Sequence, residues 1–324
     1  MVVAEDPLTI EIDGRRRPAW ADTTLLGEMR EGDEVVVNVA ALDLNLGSGG
    51  FDVVHVNLTR GLAGGGLGGD EHVMKLNYTS LQHPVEPVEG TEPGRPIPVL
   101  VLPLHGHLAP AAWAAAQAAP GLKIGYVQTG GGALPGSLSR DVAELRERKL
   151  LCGHITAGPS YGGEYESLST VGALDAARHL GWDAVLAGPG PGIIGSATRL
   201  GHGGMAALDT AHAALSLNMP TLLSPRLSGV DPRERHRGIS HHTLTVLDLL
   251  LAPVDIAVPE GEEEILASLE LAGAGRHKLQ VRAADLSGYA ATGLPSQTMG
   301  RNLEEDPLFF AAALAAGAAL RQEV

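Results

Sequence analysis

Six short apolar runs separated by helical patterns fill the chain from residue 99 onward, and they constrain the fold more than any other feature. They span residues 99–104, 122–129, 150–156, 183–188, 220–224 and 254–258. Helical patterns lie between them, notably over 109–119, 138–149, 165–180 and 196–217. Strands that are apolar throughout, rather than at alternate positions, are covered on both faces, and crossover helices do the covering. The pattern predicts a doubly wound, Rossmann-like parallel sheet over 99–324 with a helical C-terminal extension.

The last helix, begun by Asp306-Pro307, is almost entirely Ala, Leu and Phe up to Leu320. A surface helix needs a polar stripe, so this one is expected in the core or at a subunit interface. Small residues such as Ala311, Ala315 and Gly317 permit close helix approach, and a homodimer through this helix is the expectation.

The first 83 residues have a different rhythm. Val- and Ile-rich runs at 8–12, 34–39 and 51–58 are punctuated by Asp13-Gly14, Glu31-Gly32-Asp33 and the glycine turn at 47–50. No long helical period appears, which predicts a small β-barrel-like domain. A glycine-rich stretch over 61–69 reads as a mobile loop. Residues 84–98 carry Pro84, Pro87, Pro93, Pro96 and Pro98 and read as an extended linker.

Composition narrows the function. A net charge of −15 argues against nucleic acid and anionic membrane surfaces as partners. Aromatic residues are only 3%, too few for base-stacking platforms. The single cysteine, Cys152, excludes an intramolecular disulfide, and its apolar surroundings predict a buried strand residue. No secretory signal or membrane span is visible, so a cytoplasmic location is expected.

The unusual residues all follow strands. His105-Gly106-His107 follows the first, Gly130-Gly131-Gly132 the second, residues 156–166 the third, the Gly190 turn the fourth and residues 224–237 the fifth. Ligands of open α/β sheets bind outside the carboxyl ends of the strands, so these loops predict one composite site. Gly190, Gly192 and Gly195 match G-x-G-x-x-G after a strand and before a helical pattern. Such a turn brings backbone N–H groups close to an anion, with Ser196 and Gly131-Gly132 at hand. A dinucleotide site wants an acidic residue at the end of the next strand, where this chain has Ser224-Pro225-Arg226.

Asp231-Pro232 is a helix-start signal. A helix from there through Gly238 would put Arg233, His236, Arg237 and Ser240 on one face. With Arg226 they would form a cationic wall for phosphate or carboxylate. His241 and His242 are adjacent and project differently, so one at most is expected in the site. The competing chemistry is a metal held by His105, His107, His154 or His202 with Glu164 or Glu166. Catalytic candidates are His105, His236 and Glu164. No G-x-S-x-G elbow, P-loop or Cys-His arrangement is present.

Several segments resemble a bacterial family known only as a domain of unknown function, number 3866. They are residues 72–82 (His72-Val-Met-Lys-Leu-Asn-Tyr-Thr-Ser-Leu-Gln82), 131–135, 162–164, 190–195 and 231–243 (Asp231-Pro-Arg-Glu-Arg-His-Arg-Gly-Ile-Ser-His-His-Thr243). The family's first loop is similar to Leu-His-Ser-Gln. His105 matches it and His107 departs, which weakens a two-histidine metal site. The resemblance implies no activity.

The leading expectation is a protein that binds a small anionic, phosphorylated metabolite or nucleotide at the strand ends. The alternatives are a metal-dependent hydrolase using loop His and Glu residues, and a non-catalytic sensor or assembly module.

Overall fold

A computed structural model describes the chain apart from residues 45–49, 62–72, 91–93, 133–134, 272–273 and 321–324. Most of the turn at 47–50 and of the glycine stretch at 61–69 therefore lies outside the described residues, as do Pro93, His72 and residues 133–134 of the 131–135 segment. The chain divides into two compact units, Met1–Glu86 and Pro87–Val324.

The first unit is a curled half-barrel sheet. Strands β1 (Val2–Glu5), β2 (Leu8–Ile12) and β3 (Arg15–Trp20) precede a short helix α1 (Thr23–Leu26). Then come β4 (Val35–Asn38), α2 (Ala40–Asp43) and β5 (Asp52–Asn57), and the sheet order is β1-β2-β3-β5-β4. Two backbone hydrogen bonds, Val2 N to Asp33 O and Gly32 N to Val2 O, tie the first strand to the residues just ahead of β4 and curl the sheet. Val2, Ile10, Leu26, Met29 and Val54 fill its inside. A hairpin of β6 (Val73–Lys75) and β7 (His83–Val85) ends the unit. Pro84 thus lies in a strand, and Val88 N bonds the Glu166 carbonyl within the second unit.

The second unit is built on eight parallel strands. Its chain order is β8 (Val99–Val101), α3 (Leu108–Ala118), β9 (Ile124–Thr129), α4 (Arg140–Glu147), β10 (Gly153–Ala157), β11 (Tyr165–Ser167), α5 (Thr170–His179) and β12 (Ala184–Pro189). It continues with α6 (Ala206–Ser216), β13 (Thr221–Leu223), the paired β14 (Leu227–Ser228) and β15 (Gly238–Ile239), α7 (His241–Leu249) and β16 (Asp255–Pro259). Next are α8 (Glu263–Leu271), β17 (Lys278–Arg282), α9 (Leu286–Ala290), the hairpin β18 (Gln297–Thr298) and β19 (Arg301–Asn302), and α10 (Pro307–Ala319).

The sheet order is β11-β10-β9-β12-β8-β13-β16-β17. The chain leaves β8 toward β9 and β10, then reverses through β12 and β13. Helices α3, α4, α9 and α10 pack on one face, and α5, α6, α7 and α8 on the other. The two winding directions therefore use opposite faces, as right-handed crossovers require. Loops after β8 and β9 lead to one face and those after β12 and β13 to the other, which opens a crevice at the switch point. Val99, Leu100 and Val101 are wholly buried, which accounts for their unbroken apolar sequence. The pattern at 165–180 divides into a strand and a helix, because Ser169 caps α5 through Gly172 N at 3.0 Å.

The apolar last helix is covered by its own chain. Phe309, Phe310, Leu314, Ala315 and Ala319 are buried, and α10 lies so close to α3 that a methyl group on Gly317 would collide with the Ala111 carbonyl. Intramolecular burial removes the argument that placed this helix at a dimer interface. Among the described residues no helix is long and apolar enough to cross a membrane.

Candidate metal centre

The glycine turn after β12 does not open a helix. Residues 190–201 form an irregular loop closed by a bridge between Gly195 and His202, by Ser196 N to Gly201 O at 2.7 Å and by Gly203 N to Ile194 O at 2.7 Å. Helix α6 starts only at Ala206, so the helix-dipole part of the anion argument falls away. The glycines meet packing needs instead. A side chain on Gly190 would collide with the Gln128 amide, and one on Gly195 would put its Cβ 2.8 Å from His202 Cβ. Gly192 has φ of 87°, while Gly131 and Gly132 pack against Pro189, Gly190, Pro191 and the Gly203–Ala206 turn. Ser196 is exposed and bonds Thr198. The loop's visible consequence is the placement of His202.

The segment after β13 also departs from expectation. No helix starts at Asp231; residues 227–239 form the β14–β15 ribbon with a single turn of 3-10 helix over Glu234–His236. Asp231 is fully buried and is spent on Arg233. It accepts from Arg233 N at 3.0 Å and from Arg233 Nε and Nη2 at 2.9 Å each. A carboxylate committed this way bends the chain locally rather than capping a helix. Ser240 caps α7 instead, through His242 N at 3.2 Å. Arg233, His236, Arg237 and Ser240 therefore do not share a helical face. Arg233 and Arg237 are exposed, and His236 is buried with its Nδ1 2.8 Å from Ser240 Oγ.

These two loops bring four histidines together. The His202 and His242 rings stack with centroids 3.7 Å apart and an 8° tilt. The His241 ring lies 5.3 Å from His202 and 4.4 Å from His242, while His236 lies 5.0 Å and 4.8 Å from His241 and His242. Contrary to the expectation that one of the adjacent pair would serve, both His241 and His242 join the cluster. One ligand atom from each of His202, His241 and His242 can be chosen so that all lie within 4.8 Å of one another. That is the only group of three or more such side chains placed to share an ion among the described residues.

Hydrogen bonding fixes which nitrogen is free. His202 Nε2 donates to the Arg199 carbonyl at 2.9 Å, so in the neutral ring Nδ1 carries the lone pair, and that atom is buried without a partner among the described residues. Anchoring one ring nitrogen on a carbonyl is how metal-binding histidines are oriented. His241 Nε2 is likewise buried and has no partner among the described residues. A Cβ on Gly204 would stand 2.9 Å from His202 Nδ1 and 3.0 Å from His242 Nδ1, so both atoms face one spot kept open by glycine. His242 Nδ1 is met by Arg226 Nη1 at 3.3 Å, a long bond.

The electrostatics keep these rings neutral. Burial, reinforced by the Arg226 guanidinium, holds His236 down to about 3 and His242 to about 2, and lowers His202. His241 is lowered by burial and by His202. Neutral imidazoles retain the lone pairs that zinc, copper, nickel or iron take as ligands. His202, Gly203 and Met205 also border a cavity of about 410 Å3 walled by the ends of β9 and β10, Thr170 of α5 and the first turns of α6.

The other candidates lie elsewhere on the same sheet edge. His105 Nε2 is 2.8 Å from Ser139 Oγ, and its Nδ1 is 3.4 Å from Tyr126 OH. His154 stacks on Tyr126 at 5.2 Å, and Tyr126 OH donates to the Gly188 and Pro189 carbonyls at 3.0 and 3.1 Å. His107 is a core residue between Ser224, at 2.8 Å, and the Phe309 ring. Glu164 is exposed and pairs with Arg146 at 2.7 Å; Glu166 bonds Thr156 Oγ1 and Gly162 N, both at 2.7 Å. Neither glutamate reaches the four-histidine cluster. Cys152 is exposed just ahead of β10, not buried within it, and partial desolvation pushes its thiol up to about 11, away from thiolate reactivity.

The family model described as Protein of unknown function (DUF3866) matches residues 18–317, and the chain belongs to that family. No curated protein and no solved structure matches the chain.

Proposed function

We propose that this member of the family is a metal-dependent hydrolase whose divalent ion is held by His202, His241 and His242. One observation carries the reading. Two buried ring nitrogens, His202 Nδ1 and His241 Nε2, have no partner among the described residues and stand in a cluster of three donors that fit around one ion. Buried polar atoms without partners are rare and costly, and a metal would satisfy both at once. Three histidines with an open fourth position are a known catalytic zinc arrangement. A bound ion would supply Lewis acidity and lower the pKa of a water toward neutrality.

The chain's own residues have defined tasks in this reading. Arg199 fixes the His202 tautomer through its carbonyl. Ser240 both caps α7 and orients His236. His236, with its Nδ1 on Ser240 Oγ, packs against the His241 and His242 rings and supports their placement. The cavity beside His202 would admit a small-molecule substrate at the strand ends, where α/β folds bind ligands.

The test is metal analysis of protein purified without chelators, followed by a hydrolase substrate panel with and without dipicolinate. About one zinc or similar ion per chain is expected, with chelator-sensitive hydrolysis. Stoichiometric metal without hydrolysis would favour a sensor. Absence of metal, together with no zinc binding by calorimetry, would overturn the reading.

A further inference from the structure

Among the described residues Arg226, at the histidine centre, is the buried arginine, and it has no carboxylate to itself. Half-buried Arg178, by comparison, has Asp175 as its own carboxylate and donates to the Gly94 carbonyl at 2.8 Å, although its Nε also lacks a partner among the described residues. Arg226 is only 4% exposed, yet the nearest carboxylate is Asp231 at 3.5 Å, which Arg233 engages through two nitrogens at 2.9 Å and Arg301 approaches at 3.3 Å. Asp306 is taken by Ser228 Oγ at 2.6 Å, Gly229 N at 3.0 Å and Arg301 Nε at 3.2 Å. Three guanidinium groups thus share two carboxylates. The remaining neighbours of Arg226 are His242 Nδ1 and Met299 Sδ, both uncharged, and Arg226 Nε is buried with no partner among the described residues.

The charge count points to what is missing. A divalent ion on three neutral histidines keeps its full double charge, and Arg226 adds a third positive charge beside it. Burying such charge uncompensated is prohibitively costly. Phosphoryl oxygens compensate a metal and an arginine together and match the donors of a guanidinium. The ion would also compete with Arg226 Nη1 for His242 Nδ1, so that metal loading would free a second donor of the same guanidinium.

We infer that Arg226 clamps a phosphoryl group of the molecule on which the histidine centre acts. This names the substrate class of the proposed hydrolase, a phosphate ester, and rests on that reading. Arg233 and Arg301 act as positioning residues, because they occupy Asp231 and leave Arg226 unneutralised.

The experiment is calorimetric titration of inorganic phosphate into the full chain, zinc-loaded and zinc-free, with acetate as a parallel ligand. Phosphate is expected to bind the zinc-loaded wild type, more tightly than acetate. Arg226→Met should weaken phosphate binding about tenfold or more, the loss of one charge-assisted hydrogen bond, with Arg226→Lys in between. Equal phosphate affinity in wild type and Arg226→Met overturns the inference, and acetate binding as tight as phosphate overturns the phosphoryl assignment. If Arg226→Met does not fold, Arg226→Lys and the wild type decide. In that case, the absence of both a weakened affinity in the lysine variant and a phosphate-dependent rise in wild-type Tm at matched ionic strength would overturn it. Zinc binding without phosphate binding would sink the inference alone. Arg226-dependent phosphate binding without any zinc binding would uphold the clamp and sink the metal reading.

Discussion

Two histidine clusters sit at the carboxyl edge of one parallel sheet, and they use their ring nitrogens in opposite ways. Around Tyr126, His105 is engaged on both sides, by Ser139 Oγ and by Tyr126 OH. His154 keeps one unpartnered Nε2, but no group of three donors forms around it among the described residues. Around Gly204, His202 and His241 both keep an unpartnered nitrogen, and a third donor from His242 stands with them. Burial neutralises the histidines of both clusters, so lowered pKa values alone do not mark a site. The convergence of unspent lone pairs does.

The strongest way to break that contrast is His202→Ala. Structural zinc sites bind with roughly 10–16 kcal/mol, so loss of one of three ligands should cost about 4 kcal/mol, roughly a thousandfold in zinc affinity. His105→Ala should leave zinc affinity unchanged in the same titration. Equal effects of the two substitutions would erase the distinction between the clusters.

Acid should act through the buried histidines of both clusters, and those around Tyr126 stand apart from the candidate ligands. His105 and His154 are held by burial at about 4 and about 3 in the folded chain. The unfolded chain, with histidine near 6.5, takes up protons first as pH falls. Their contribution is therefore complete above about pH 6.5 and is lost as pH drops below it, by about 2 kcal/mol for each histidine at pH 5. Urea unfolding of metal-free protein at the two pH values checks this, and His154→Gln should flatten the slope.

Gly204→Ala sharpens the comparison from the other side. Its methyl would press on His202 Nδ1 and His242 Nδ1, and zinc affinity should fall about tenfold, in the range of displaced supporting groups. Circular dichroism should show the fold retained. The smallest effect is expected from Ser139→Ala, which removes the cap on Val142 N at 3.1 Å and the His105 contact. It should cost about 1 kcal/mol in urea unfolding and leave zinc binding untouched.

The sheet was legible in the sequence because fully buried parallel strands are apolar at nearly every position, and 99–101, 124–127 and 184–188 are such runs. The family resemblance was legible too, from 190–195 and 231–243 above all. The site was less so. The glycine spacing at 190–195 resembles a phosphate loop, but only tertiary packing shows that Gly190 answers to Gln128 and Gly195 to His202. Asp231-Pro232 looks like a helix start, and the competition that defeats it comes from Arg233, two residues on, and from Arg301, distant in sequence. His202 stood among the metal candidates, but its partners were sought at His105 and His154, also on strand-end loops. That strand β12 and strand β13 flank β8, and so bring 202 beside 241–242, is a fact of topology that spacing along the chain does not carry.

The account rests on three histidines holding one ion, and zinc titration of the chelator-treated full chain, monitored by calorimetry with metal analysis after dialysis, tests this most directly. The prediction is about one tightly held zinc per chain, weakened roughly a thousandfold in each of the His202→Ala, His241→Ala and His242→Ala variants and retained in His105→Ala and His154→Ala. Zinc that fails to bind the folded wild type, or whose affinity survives all three substitutions around Gly204, would contradict it.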